Sequence, residues 1–436
     1  MKTTASPRLA ALILLIPGFF MAGCMKDNVR RTFKIYSPVY ESLSEYRASV
    51  GAIAATTIKA TGKIAVSGNY IFISTPSEGI HVIDNSNPAK PKNISFINIP
   101  GNADLAIAGN TLYADAHSDL VTFDIQNPAN PVTKKFITNV FPNYGGYFIL
   151  NKQYNSYSYY NSTMGPVSDD SMYVIKEWTS RDTTVDENQQ HPLYYVDCVN
   201  CSFYYSAGSA GTNVSVPSGN GTTTNGSLSR FAIANNFLYT MGYDSLSSFD
   251  ITDRFTPTLK GKTFVNYSSE TIFPFKDKLF IGTTNGMYML DIQSSPENPS
   301  LIGQVAHMRS CDPVIADDNY AYVTLRDGTK CSGYTNQLEV YDINNLSSPS
   351  LLKTYPLTHP TGLSKDGDIL FVCDGKDGLK IFNAADKNNL KLIKQITGGE
   401  TVDVIAYNGI AIVMTTDGIY EYSYADLNKI HMISKL

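Results

Sequence analysis

Five-letter stretches ending in a polar residue recur along the chain, with apolar side chains at their first and fourth positions. They read "IHVID" (80–84), "LVTFD" (120–124), "LSSFD" (246–250), "MYMLD" (287–291), "LEVYD" (338–342), "LKIFN" (379–383) and "IYEYS" (419–423). First and fourth positions point to opposite sides of a strand, so both faces of each such strand must be covered. A β-sandwich strand would keep its apolar residues on one parity. The fifth letters step by 40, 126, 41, 51, 41 and 40 residues, and a spacing near forty without helical periodicity is that of a four-stranded propeller blade.

Each unit supplies the other three strands. About fifteen residues before the phrase, a short apolar strand ends in a tight turn, as in "IAVSGN" (64–69), "LAIAGN" (105–110), "FAIANN" (231–236), "VIADDN" (314–319) and "VIAYNG" (404–409). Gly-Asn and Asn-Asn turns permit the positive φ that two-residue hairpins require. A second strand follows at once, then the phrase, then a Pro-rich turn and an outer strand such as "SFINI" or "TKKFI". The expected fold is an all-β propeller of seven four-stranded blades, with strands A to D running outward from the axis. At the end of strand C, Asp84, Asp124, Asp250, Asp291 and Asp342 are expected to cap the exit turn by accepting its backbone N–H groups.

These units resemble the LVIVD repeat, a β-propeller repeat family of bacterial extracytoplasmic proteins. "IHVIDNSNPAKP", "LVTFDIQNPANP" and "LEVYDINNLSSP" carry the likeness over roughly 60–436, and the chain is particularly similar to LVIVD-repeat lipoproteins of the Bacteroidetes. The resemblance implies a fold and a compartment and no established reaction. Units six and seven depart from it by having Asn383 and Ser423 in place of the Asp.

The long step hides an insertion over about 140–228, between strand D of blade two and strand A of blade three. It holds 11 of the 29 Tyr, the single Trp178, a Gly/Ser/Thr/Asn run over 206–229 and one expected strand, "SMYVIKEW" (171–178). Two degenerate blades, giving nine in all, are the alternative. D–A and B–C connections of a propeller emerge on one face, so the excursion is expected to overhang that face. Its aromatic rings there either stack on a protein or glycan ligand or bury the loop's own small core.

The first 23 residues read as a signal peptide, with Lys2 and Arg8, an apolar run from Leu9 to Met21 that is too short to span, and small residues before Cys24. Met21-Ala22-Gly23-Cys24 resembles a bacterial lipobox, in which the Cys is lipidated and begins the mature chain. Acyl chains on Cys24 would hold the protein to a leaflet, with 24–59 as a lipidated tether. Lys26-Asp27 resembles the early export signal of surface lipoproteins, so outer-membrane placement facing the periplasm or the cell surface is expected. Loss of 1–23 takes the net charge from −5 to −7. Nucleic-acid surfaces are basic, so such a partner is not expected.

In an oxidising compartment Cys311 and Cys331 are placed to form a disulfide across blade five. Cys198 and Cys201, in "CVNC", read as a local disulfide rather than a redox or zinc site, since no thioredoxin-like unit surrounds them and His191 alone adds a ligand. Cys373 reads as a buried strand residue. No Asp-box, phosphate loop or HExxH occurs, and neither a metal nor a cofactor is expected. Lys63, Asp104, Arg230, Thr271, Pro313, Gly362 and Asp403 open the A strands and should ring the channel mouth. A binding or scaffold module is the main reading. A hydrolase or lyase of a saccharide or other small substrate is the alternative, with Asp104 or Asp403 as base and Arg230 on an anion; Glu270, Asp312, His359 and Glu400 lie nearby. If Cys24 carries the anchor, Cys24→Ser releases the protein from membranes or blocks its processing. Equal membrane partition of variant and wild type defeats the lipobox reading.

Overall fold

A strand with two apolar faces is stable only between two neighbours, and the computed structural model shows every phrase in that situation. It describes residues 30–141, 146–160, 167–186, 223–242, 244–265, 269–306, 313–327 and 335–436. Cys24, Cys198, Cys201, Cys311, Cys331 and Asp312 lie outside the described residues. Two compact units divide the chain. The larger takes its described residues from 40–176 and 223–436. The smaller takes 30–39 and 177–186, parts of two adjacent strands, Arg30–Ser42 and Met172–Asp186. Within it Thr179 Oγ1 donates to the Ser37 carbonyl at 3.1 Å.

In the larger unit seven antiparallel sheets each carry one copy of the phrase as their third strand. The first and fourth letters are buried in all seven. Those apolar faces meet between consecutive sheets. Phe123 joins the core shared by blades one and two, while Leu120 packs with Phe231 and Phe249 of blade three. Blade seven meets blade one through Ile405, Ile412 and Met414 against Ile64, Ile71 and Ile83, which closes the ring. Among the described residues all four strands of blade seven come from the C-terminal stretch Thr401–Lys435. Closure rests on side-chain packing, with Asn85 Nδ2 donating to Glu421 Oε2 at 2.9 Å across the seam.

One backbone bond repeats in every blade. The N–H after the fifth letter donates to a carbonyl of the A–B turn, from Asn85, Ile125, Ile251, Ile292, Ile343, Ala384 and Tyr424. At the fifth letter Asp84, Asp124, Asp250 and Asp342 each accept the N–H two residues on at 2.9–3.0 Å. Asp291 accepts from Ser294 instead, at 3.3 Å. Asn383 makes the same bond to Ala385 N at 2.9 Å, so the family departure in unit six costs nothing there. The A–B turns take positive φ at Gly68, Gly109, Asn235, Asn236, Asn408 and Gly409. Where strand C begins with glycine, the reason is close approach: a Cβ on Gly79, Gly286 or Gly378 would lie 2.0 Å from an outer-strand carbonyl.

Blade one is larger than the sequence suggests. Gly51–Ile53 adds a strand outside its strand D, pairing with Phe96–Asn98. Thr223–Asn225, from the end of the insertion, pairs with Ala65–Ser67 inside its strand A. Part of the expected tether thus folds onto the ring. Leu43–Ser49 is a helix, α1, started by a capping box between Ser42 and Glu45. Its Leu43 and Tyr46, with Val50, are buried in the core of blades one and two, and Tyr46 Oη donates to the Pro100 carbonyl at 2.7 Å. The start of the insertion joins the same core through Tyr147, Met172 and Val174. Its strands Phe148–Asn151 and Ser156–Tyr159 pair in an eighth sheet, which carries no copy of the phrase.

Arg47 of α1 ties these parts together. Its Nε donates to Asp119 Oδ2 at 3.0 Å, and its Nη1 pairs with Asp169 of the insertion. Asp119, at the start of strand C of blade two, also accepts from Asn139 N at 3.0 Å and from Tyr147 Oη. Its side chain is 1% exposed. Arg47→Ala would strand a buried carboxylate, which costs about 3–5 kcal/mol. The expected result is a lower urea midpoint by that free energy, with an unchanged slope; a loss under about 1 kcal/mol would show that Asp119 is solvated without Arg47.

Candidate functional site

Strand A of a blade has strand B on one edge and the ring axis on the other. In blade one the axis edge is taken, because Thr223, Thr224 and Asn225 oppose Ser67, Val66 and Ala65. Past this strand Gly226 N donates to the Ile64 carbonyl at 3.1 Å, and Leu228 is buried in the core between blades seven and one. Ser229 O then accepts from Ile272 N of blade four at 2.8 Å. The chain therefore crosses the channel mouth on its way into blade three.

Around this crossing lie the residues that open the A strands. Asp104, Thr271 and Asp403 are buried, and Lys63 and Arg230 keep partial exposure. Lys63 Nζ donates to the Leu228 carbonyl. Arg230 donates its backbone N–H to Asp104 Oδ2 at 2.6 Å and its Nη2 to the Met241 carbonyl at 2.9 Å. Asp104 Oδ1 accepts from Leu105 N at 2.8 Å and Ser229 Oγ at 3.2 Å. Asp403 Oδ1 accepts from Val404 N at 2.7 Å, while its buried Oδ2 has no hydrogen-bond partner. Gly362 fits beside it only as glycine, since a Cβ would lie 2.3 Å from Asp403 Oδ1.

Lys63, Asp104, Arg230, Asp403 and Glu270 act on one another electrostatically. Burial lowers the basicity of Lys63 and Arg230 and raises the Asp104 carboxyl, against the pull of Lys63 and Arg230. Burial holds Asp403 well above the usual carboxylate range. Desolvation thus disfavours charge of either sign here. The runners-up separate. Glu270 belongs to the cluster, whereas His359 has a half-exposed side chain and faces Asp327 at 3.3 Å. Glu400 uses its backbone carbonyl to accept from Thr416 N at 3.0 Å.

One member of the cluster has no place among the strand-A residues. Asp115, on strand B of blade two, accepts from Asn102 Nδ2 at 2.7 Å and from the backbone N–H groups of Ala103 and Asp104 at 2.8 Å. Ser74 does the same in blade one, accepting from Lys63 N at 2.7 Å. A polar residue near the end of each otherwise apolar strand B is the signal that would have found both. Among the described residues no group of three His, Cys, Asp or Glu is placed to hold a metal ion. Cys373 is a free, fully buried thiol raised in pKa by burial and by Asp403.

Rings of the Tyr-rich insertion pack against one another while staying partly exposed. Tyr40 stacks on Tyr157 at 3.7 Å and meets Phe148 edge-on at 5.1 Å; Tyr157 meets Tyr173 at 5.1 Å. Tyr154 and Tyr159 stay exposed.

Burial pushes Asp115 up to about 7. A carboxyl whose folded-state pKa exceeds its unfolded value favours folding while protonated, so its contribution is lost as pH rises from about 4 to about 7. Asp115→Asn should flatten the fall in melting temperature across that window. An unchanged slope would show that Asp115 is ionised throughout.

The LVIVD repeat model matches residues 59–97, 100–138 and 309–356. No curated protein matches the sequence. Among solved structures, a protein from Lactobacillus plantarum is similar over 86% of this chain and 98% of its own, at 11% identity and a TM-score of 0.50. The periplasmic gluconolactonase of Pseudomonas aeruginosa is similar over 89% of this chain and 96% of its own, at 12% identity and a TM-score of 0.47. At 11% identity the likeness to the Lactobacillus plantarum protein concerns the fold alone. Three stretches of the chain thus match the LVIVD repeat, and the fold is a β-propeller.

Proposed function

We propose that this chain is a lipid-anchored, seven-bladed extracytoplasmic propeller that serves as a binding or scaffold module at the outer membrane or cell surface. Its protein or glycan ligand would meet the face of the D–A and B–C loops. One observation carries the reading: the insertion's own strand, 223–225, occupies the axis edge of blade one, and the chain after it engages Lys63 and Asp104 of the mouth. A catalytic base must accept a proton from substrate, yet both oxygens of Asp104 are engaged by this chain's own N–H and O–H groups. The anchor rests on the Met21–Cys24 sequence, and the membrane is the expected partner at that end.

The test is capture from native membranes with the intact anchored protein, in wild type and in an Asp104→Asn, Asp403→Asn double variant. A partner held equally by both supports a binding module that works away from the cluster. Turnover of a lactone or glycoside by the wild type, lost in the double variant, overturns it.

A further inference from the structure

We infer that a second site lies between the outer parts of blades four and five, and that it takes a small alkylammonium. This site is separate from the channel mouth and does not depend on the reading given for it. A cavity of about 310 Å³ opens there. Its lining includes Val305 of blade four and Leu325, Thr335, Glu339, Tyr341 and Leu351 of blade five. Its size is at the small end of ligand pockets, which suits a compact ligand.

Glu339 decides the chemistry. It is the second letter of the blade-five phrase, and it is 5% exposed. Gln337 Nε2 donates to its Oε1 at 2.8 Å and Tyr341 Oη to its Oε2 at 2.5 Å. Both are neutral donors, and no Lys, Arg or His pairs with Glu339 among the described residues. A carboxylate has about four lone-pair sites, so roughly two remain. Thr335 Oγ1 on the same cavity is buried and has no hydrogen-bond partner among the described residues. Among the described residues the site therefore offers a carboxylate without a cationic partner, spare acceptor capacity and an apolar wall from Val305, Leu325 and Leu351.

An alkylammonium answers all three. Its N–H groups match the spare acceptors of Glu339 and Thr335, its charge matches the carboxylate, and its alkyl part matches the wall. Mg²⁺ and Ca²⁺ fit poorly, since they require six or more oxygen ligands and one carboxylate with one hydroxyl supplies too few. The ammonium can come from a free amine or from a lysine side chain on another protein, and the chemistry at Glu339 is the same.

The experiment is calorimetric titration of the full mature protein with butylammonium chloride, with 1-butanol and sodium chloride as controls. A parallel titration uses a lysine-containing peptide. Saturable binding of butylammonium, at least tenfold weaker in Glu339→Gln, is expected, with no binding of 1-butanol. Leu351 is 50% exposed, so Leu351→Trp fills the rim without disturbing the core. It should weaken binding as much while leaving Glu339 in place, and circular dichroism checks that both variants fold. Peptide binding lost in both variants assigns the site to a lysine-bearing partner; butylammonium binding alone assigns it to free amines. Equal affinity in wild type and Glu339→Gln, equal binding of 1-butanol, or no saturable heat with either ligand overturns the proposal.

Discussion

Burial on both faces of strand C is the constraint from which the rest of the architecture follows. A sheet with two apolar faces cannot stand alone or pair with one partner; each needs a neighbour on either side, and a row of such sheets ends only by closing on itself. Ile83 and Ile419 show the two sides of that closure, both buried in the core at the seam. Among the described residues the seam is held by the fit of Ile64, Ile71, Ile405 and Met414 and by polar links such as Asn85 to Glu421. The repeated backbone bond from the C–D turn to the A–B turn then fixes each sheet internally. That division of labour lets the loops on the opposite face vary.

The protein uses that freedom in blades one and two. Helix α1 and the start of the insertion share one core with them, the added strand Gly51–Ile53 pairs with strand D of blade one, and Arg47 joins α1 to blade two and to the insertion through Asp119 and Asp169. The end of the insertion takes the axis edge of blade one, where it meets a concentration of buried ionisable groups. Buried charges are costly unless paired and hydrogen-bonded. Here the Asp104 and Asp115 carboxyls accept from backbone N–H groups, and Lys63 Nζ and Arg230 Nη2 donate to backbone carbonyls. Such an arrangement organises the top of the ring as much as it prepares any chemistry.

The repeating parts were legible in the sequence because their causes are local. Apolar residues at first and fourth positions, Gly-Asn turns and a carboxylate beside its own turn all act within a few residues, and period alone carries them around the ring. Asn383 replacing Asp kept the cap because the same oxygen sits at the same place. The strand-A openers were located on that basis, and Lys63, Asp104, Arg230 and Asp403 do converge.

What the tertiary structure decided are contacts between residues far apart in the chain. Nothing near Thr223 announces that it will pair with Ser67, and nothing near Gly51 announces Asn98; a three-residue strand has too little periodicity to read. Asp115 and Asn102 escaped because their role depends on which N–H groups the neighbouring strand turns toward them. Glu339 became a ligand candidate only when the packing of blade four on blade five buried it without a cation. Sequence determined the repeat and its closure, since these follow from which faces must avoid water. Folding in three dimensions decided where buried charge is compensated and where it is left over, since that depends on partners brought from distant parts of the chain.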